Sequence, residues 1–103
     1  MKDPYKHTRF WKPKPEECAA LKEHLLMELP YGHPLDPFRR EFTVEARAKS
    51  GDDVIVRTGQ EERPFALVRM TFRGRPEMAP FLPETIFYAS EAELWTALKE
   101  SVS

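Results

Sequence analysis

The sequence predicts an α+β fold: an antiparallel three- to four-stranded β-meander with an N-terminal and a C-terminal helix packed on one face, a two-layer sandwich. Three observations predict it. The middle of the chain carries short runs of alternating apolar and polar residues separated by turn residues. Two flanking segments repeat apolar residues at helical spacing. Each element then has one apolar face, and laying both helices on the sheet covers all of them.

The first helix is expected from about Pro15 to Leu29. Proline suits a first helical position, Glu16 and Glu17 favour the positive end of the helix dipole, and Cys18, Leu21, Leu25, Leu26 and Leu29 form one apolar stripe. Pro30 stops the helix, and residues 30–38 read as a loop with three prolines and a glycine. In the run 41–49, Phe42, Val44, Ala46 and Ala48 alternate with Thr43, Glu45, Arg47 and Lys49, a half-buried strand. Ser50-Gly51-Asp52-Asp53 is a turn signal, and a second strand follows with Val54 and Val56 on one face. Residues 65–73 form the third strand, with Ala66, Val68, Met70 and Phe72 on one face and Leu67, Arg69, Thr71 and Arg73 on the other. Short connections make these three antiparallel. An irregular crossing with Gly74, Pro76, Pro80 and Pro83 leads to a short fourth strand, Thr85–Tyr88. Ser90 and Glu93 then form a capping box that opens a helix carrying Leu94, Trp95, Leu98 and Val102.

With 103 residues the chain is one domain's worth, divided here into a basic aromatic arm, 1–14, and a single α+β domain, 15–103. The near-neutral net charge of -1 hides an asymmetry. Residues 1–15 sum to +4 and the remainder to -5, so a basic arm adjoins an acidic body. The single cysteine, Cys18, excludes an internal disulfide and any metal site with two thiolates. No apolar stretch has the length of a membrane span or the form of a secretion signal, so no membrane role and a cytoplasmic location are expected.

Four groups of residues are candidates for function. Basic residues interleaved with Phe10 and Trp11 are what a phosphate-tracking, base-stacking segment needs. The simpler expectation is that Phe10 and Trp11 pin the arm to the acidic body, since the chain carries no nucleic-acid motif. Arg47, Arg57, Arg69 and Arg73 share the polar side of the expected sheet, where Glu45 is a cross-strand partner. His33, Asp52 and Asp53 could act as acid, base or ligand, but a lone histidine in a loop and two turn aspartates are weak metal donors. Arg73, Arg75, Glu77 and Thr85 flank the irregular crossing. Cys18 and His24, six residues apart, point to different faces of their helix.

The order of Gly32-His33-Pro34-Leu35, the Asp52-Asp53 turn, Met70-Thr71-Phe72, Gly74-Arg75, Glu77, Leu82-Pro83-Glu84-Thr85, Tyr88 and Ser90 resembles a family of small bacterial proteins of unknown function. That family carries a Gly-His-Pro-Leu loop, an Asp-Asp turn, a Leu-Thr-Trp strand end, Gly-Lys and Glu, then Trp-Pro-x-Thr, Tyr and Ser. The resemblance covers roughly residues 30–90. Phe72 and Leu82 replace tryptophans, and Arg69 stands at a histidine position of the pattern. It implies a shared fold and a bacterial origin, and it carries no activity.

These features favour a non-enzymatic module that binds a protein partner or a second copy of itself, without cofactor or metal. Nucleic-acid association through the arm ranks second. A small-molecule or enzymatic site gathering His33, Arg69, Arg73 and Glu77 ranks third. The candidate binding residues are therefore His33, Arg69, Arg73, Arg75, Glu77, Phe10 and Trp11.

Overall fold

A computed structural model of the chain describes residues 5 and 8 and residues 10–30, 32–70 and 84–101, with side chains up to Leu98 in the last helix. In chain order the elements are β1 (Phe10–Trp11), α1 (Pro15–Glu28), a single 3-10 turn (Asp36–Phe38), β2 (Thr43–Ala48), β3 (Asp53–Arg57), β4 (Phe65–Arg69), β5 (Thr85–Tyr88) and α2 (Glu91–Ser101). The strands form one antiparallel sheet in the order β1-β2-β3-β4-β5. The fold class is α+β, and the meander expected from residue 43 onward is present. β1 adds a strand at its edge.

The helices begin and end where the local chemistry directs. α1 opens on Pro15 with Glu16 and Glu17 in its first turn, and it closes with Leu29 N–H donating to the Leu25 carbonyl at 3.1 Å. At the start of α2, Ser90 Oγ accepts from Glu93 N–H at 3.1 Å, and the Glu93 carboxylate accepts from Ala89 N–H at 2.6 Å. The first bond satisfies a donor that the helix start leaves open, and the second ties the preceding residue to the same turn. The tight turn between β2 and β3 uses Gly51 at φ +101, a conformation that costs a side-chain-bearing residue strain.

Two apolar clusters hold the molecule together, one on each side of the sheet. On the first side Leu21, Leu25 and Leu29 of α1 meet Val44, Val54, Val56, Ala66 and Val68, closed off by Leu35, Phe42 and Met70. On the second side Leu94 and Leu98 of α2 meet Ala46, Ala48, Ile55 and Phe65, together with Tyr5 and Phe10. A 14-residue helix is marginal alone. Burying three leucines, at about 2 kcal/mol each, is what holds α1 in place.

The two helices therefore lie on opposite faces, and the single covered face of the expected two-layer sandwich is corrected to two. There are two physical reasons. First, β3 and β4 are buried on both sides: Val54, Ile55 and Val56 are all within 1 % of full burial, and the continuous run Phe65-Ala66-Leu67-Val68 splits between the two clusters. Such continuous apolar runs signal two-sided burial. Second, β2 carries a bulge at Glu45. Val44 stands opposite Val56, but Ala46 stands opposite Ile55. The extra residue moves Ala46 and Ala48 to the α2 side and turns Arg47 to the α1 side, where it faces Glu17 at 3.9 Å.

Part of the expected basic arm is built into the fold. Phe10 pairs with Ala48 and Trp11 with Arg47. Tyr5 is 2 % exposed and Phe10 fully buried, and the Tyr5 ring lies 5.1 Å from that of Trp95.

Candidate functional site

The end of the sheet where β4 and β5 meet is built from two back-to-back positions. Val68 stands opposite Thr85, and Arg69 N–H donates to the Glu84 carbonyl at 2.9 Å. Side chains alternate across a strand, so Thr85 faces the α1 side while Glu84, Ile86, Leu67 and Arg69 face the other.

On the α1 side the site is a closed hydrogen-bond node. The loop after α1 folds back through His33 N–H to the Pro30 carbonyl at 3.1 Å and Asp36 N–H to the His33 carbonyl at 2.9 Å. This turn places the His33 ring inside the protein, 1 % exposed. Its Nδ1 accepts from Leu35 N–H at 3.0 Å, and its Nε2 lies 3.3 Å from Thr85 Oγ1. A ring nitrogen that accepts carries no proton, so the ring proton sits on Nε2 and Nε2 donates to the threonine. Both nitrogens are thereby engaged, and His33 ties the loop to β5 across 52 residues of sequence.

On the opposite side the site is open. Arg69, 68 % exposed, sits with its Nε 3.4 Å from Asp53 Oδ1 and an Nη 3.9 Å from Glu84 Oε2. Beside it Ile86 is 56 % exposed, and Leu67 is half-buried. These five residues frame a depression of about 80 Å³. Leu94 and Leu98 of α2 cluster with Ala46, Ala48, Ile55 and Phe65, and Ile86 lies outside that cluster.

The sequence-predicted candidates separate accordingly. His33 and Arg69 lie on opposite faces of the sheet and cannot share one site. Phe10 is core, and Trp11 is a half-buried edge residue. Arg73, Arg75 and Glu77 fall outside the described residues. The described arginines of that group each face carboxylates of the protein. Arg57 pairs with Glu45 at 3.6 Å and lies over the Phe65 ring at 4.8 Å, Arg47 faces Glu17, and Arg69 faces Asp53 and Glu84. Glu45 also meets Lys12 at 3.3 Å, so its expected cross-strand role extends to both neighbouring strands. Among the described residues no group of three His, Cys, Asp or Glu could hold a metal ion.

Cys18 is not an activated nucleophile. Burial pushes its thiol above the ordinary range, further raised by Glu45 and Glu17 and only partly offset by Lys12. Its Sγ lies 3.7 Å from the Pro13 carbonyl. A second depression, about 460 Å³, lies on the outer face of α1 along Ala19, Ala20, Glu23, His24 and Met27. It is shallow and lined by one helix, whereas the β4–β5 end joins side chains of three strands, so the β4–β5 end is the better candidate.

Sequence reasoning missed Ile86, Leu67 and Glu84 as a group. Their signal was present in the four-residue run Thr85–Tyr88, where Ile86 and Phe87 must point to opposite faces. It could be read only after both faces were known to be apolar.

No family model, no curated protein and no solved structure matches this chain. No helix among the described residues is long and apolar enough to cross a membrane.

Proposed function

We propose that this domain is a non-enzymatic protein-binding module whose contact surface is the open side of the β4–β5 end. One observation carries this reading. Ile86 is an exposed apolar side chain beside half-buried Leu67, inside a frame of Asp53, Arg69 and Glu84. An apolar centre with a charged rim is the ordinary anatomy of a protein interface. The engagement of both His33 nitrogens and the raised thiol of Cys18 support the same reading, because the groups best suited to chemistry serve the fold instead. The burial of Tyr5 and Phe10 weighs against the arm as a base-stacking segment, since rings inside a core have no face to offer a base.

The test is site-specific photocrosslinking in the cells of origin. A photoreactive residue at Ile86 should yield one or a few discrete adducts of higher mass. The same residue at Glu23, on the exposed outer face of α1, should yield none above background. Equal labelling at the two positions would remove the basis for the proposal.

A further inference from the structure

We infer that the outer edge of β5 accepts an extended, basic segment of a partner protein as a sixth strand. This names the partner chemistry for the surface proposed above and rests on that reading.

β5 is the last strand of the sheet, so one side of its main chain faces no strand among the described residues. The register identifies which groups point outward. Arg69 N–H bonds to the Glu84 carbonyl, and Ile86 and Tyr88 stand opposite Leu67 and Phe65. Hydrogen-bonded pairs alternate along an antiparallel ladder. Ile86 and Tyr88 therefore turn their N–H and C=O toward β4, and Phe87 turns its own outward. An added strand would bond there.

The space beside that edge is open. A groove of about 420 Å³ runs along it, lined by Phe87, Tyr88, Ala92, Glu93, Thr96 and Ala97. Its α2 wall is mostly small side chains, which let a main chain approach closely. On the open side of the sheet, alternate side chains of an added strand would fall next to Ile86, burying an apolar group that α2 leaves exposed.

Charge selects the occupant. Glu84, Glu91 and Glu93 are exposed along this edge. Glu61 and Glu62 are exposed in the loop that leads into β4 beside Tyr88. Among the described residues the nearby bases are engaged: Arg63 lies 4.2 Å from the Phe87 ring centre, and Arg69 faces Asp53 and Glu84. An acidic edge attracts a strand that carries lysine or arginine and repels one that carries acid. The same charges argue against a second copy at this edge. Two β5 strands meeting about a twofold axis would bring both sets of carboxylates together. Of the chain's own N-terminal segment, Phe10 and Trp11 pair with β2 at the far edge of the sheet.

The experiment titrates isotopically labelled protein with a blocked octapeptide of alternating lysine and valine, and separately with its glutamate–valine counterpart. The cationic peptide should shift the amides of Thr85–Tyr88 and slow hydrogen exchange at Phe87. The anionic peptide should do neither. Ile86→Lys should weaken cationic binding by roughly tenfold, through lost apolar contact and added like charge. Glu84→Gln removes one exposed carboxylate and its pairing with Arg69, and should weaken it by a smaller factor. The inference is overturned if neither peptide perturbs β5 at millimolar concentration, or if both bind equally. It is also overturned if the β5 amides shift with protein concentration alone while sedimentation reports a dimer. In each case crosslinking from Ile86 reports separately whether the surface binds any protein.

Discussion

His33 shows how a residue with catalytic chemistry becomes structural. Its value lies in the geometry of two hydrogen bonds, one within its own loop and one to Thr85. A neutral imidazole can accept at one nitrogen and donate at the other, and no other side chain of similar size does both across that distance. Removing it leaves Leu35 N–H without its acceptor and opens a cavity under the loop. His33→Ala should cost about 2–4 kcal/mol in urea denaturation. Thr85→Val should cost about 1 kcal/mol. The double variant should cost less than the sum of the two, because the bond they share is lost only once. Strict additivity would mean that the two side chains do not interact.

At the scale of an element, the bulge in β2 decides which layer the strand serves. If Glu45 took its place in a regular ladder, Ala46 and Ala48 would follow Val44 onto the α1 side, as the sequence alternation suggests. Because Glu45 is bulged out of the pairing, they join Leu94 and Leu98. Glu45 is also held in place by Lys12 and Arg57, so the inserted residue has partners on both neighbouring strands. Deleting Glu45 should remove only the extra residue: Val44 and Ala46 become neighbours on opposite faces, and the pairings of Val44 with Val56, Ala46 with Ile55 and Arg47 with Val54 stay in register with both cores. The expected loss is limited to the ion pairs with Lys12 and Arg57, about 1 kcal/mol, read as a small fall in Tm. A Glu45→Gln variant keeps the bulge and should lose a similar amount, and a loss of several kcal/mol on deletion alone would mean that the kink itself is required.

For the whole molecule, the sheet is a shared wall between two small cores. The N-terminal residues belong to one of them. Tyr5 and Phe10 close the α2 side of the sheet, so that side is assembled from the first and the last described parts of the chain. Phe10→Ala should therefore destabilise the protein by about 3 kcal/mol, with a fall in Tm of roughly 12 °C or more. An unchanged Tm would mean that the first ten residues are an appendage. The exposed β5 part of this same side is where the binding surface is proposed, because Ile86 lies outside the cluster that α2 makes with the sheet.

The sequence by itself determined the elements of this protein. Helix stripes, a capping box, turn residues and alternating runs are local patterns, and each depends only on neighbours along the chain. That is why α1, β2, β3, β4, β5 and α2 were all legible. Only the tertiary structure decided the layering. Whether Ile55 and Leu67 are stray apolar residues or a second buried face depends on what covers them, and the covering residues come from the two ends of the chain. β1 was hidden for the same reason, since a two-residue strand has no periodicity and exists only through its pairing with β2. The candidate site followed the layering. Alternation alone put His33 and Arg69 in one candidate group, and the sheet between them places them apart. The patch around Ile86 is set by packing across the sheet, since Ile86 lies outside the cluster that α2 makes with its neighbours.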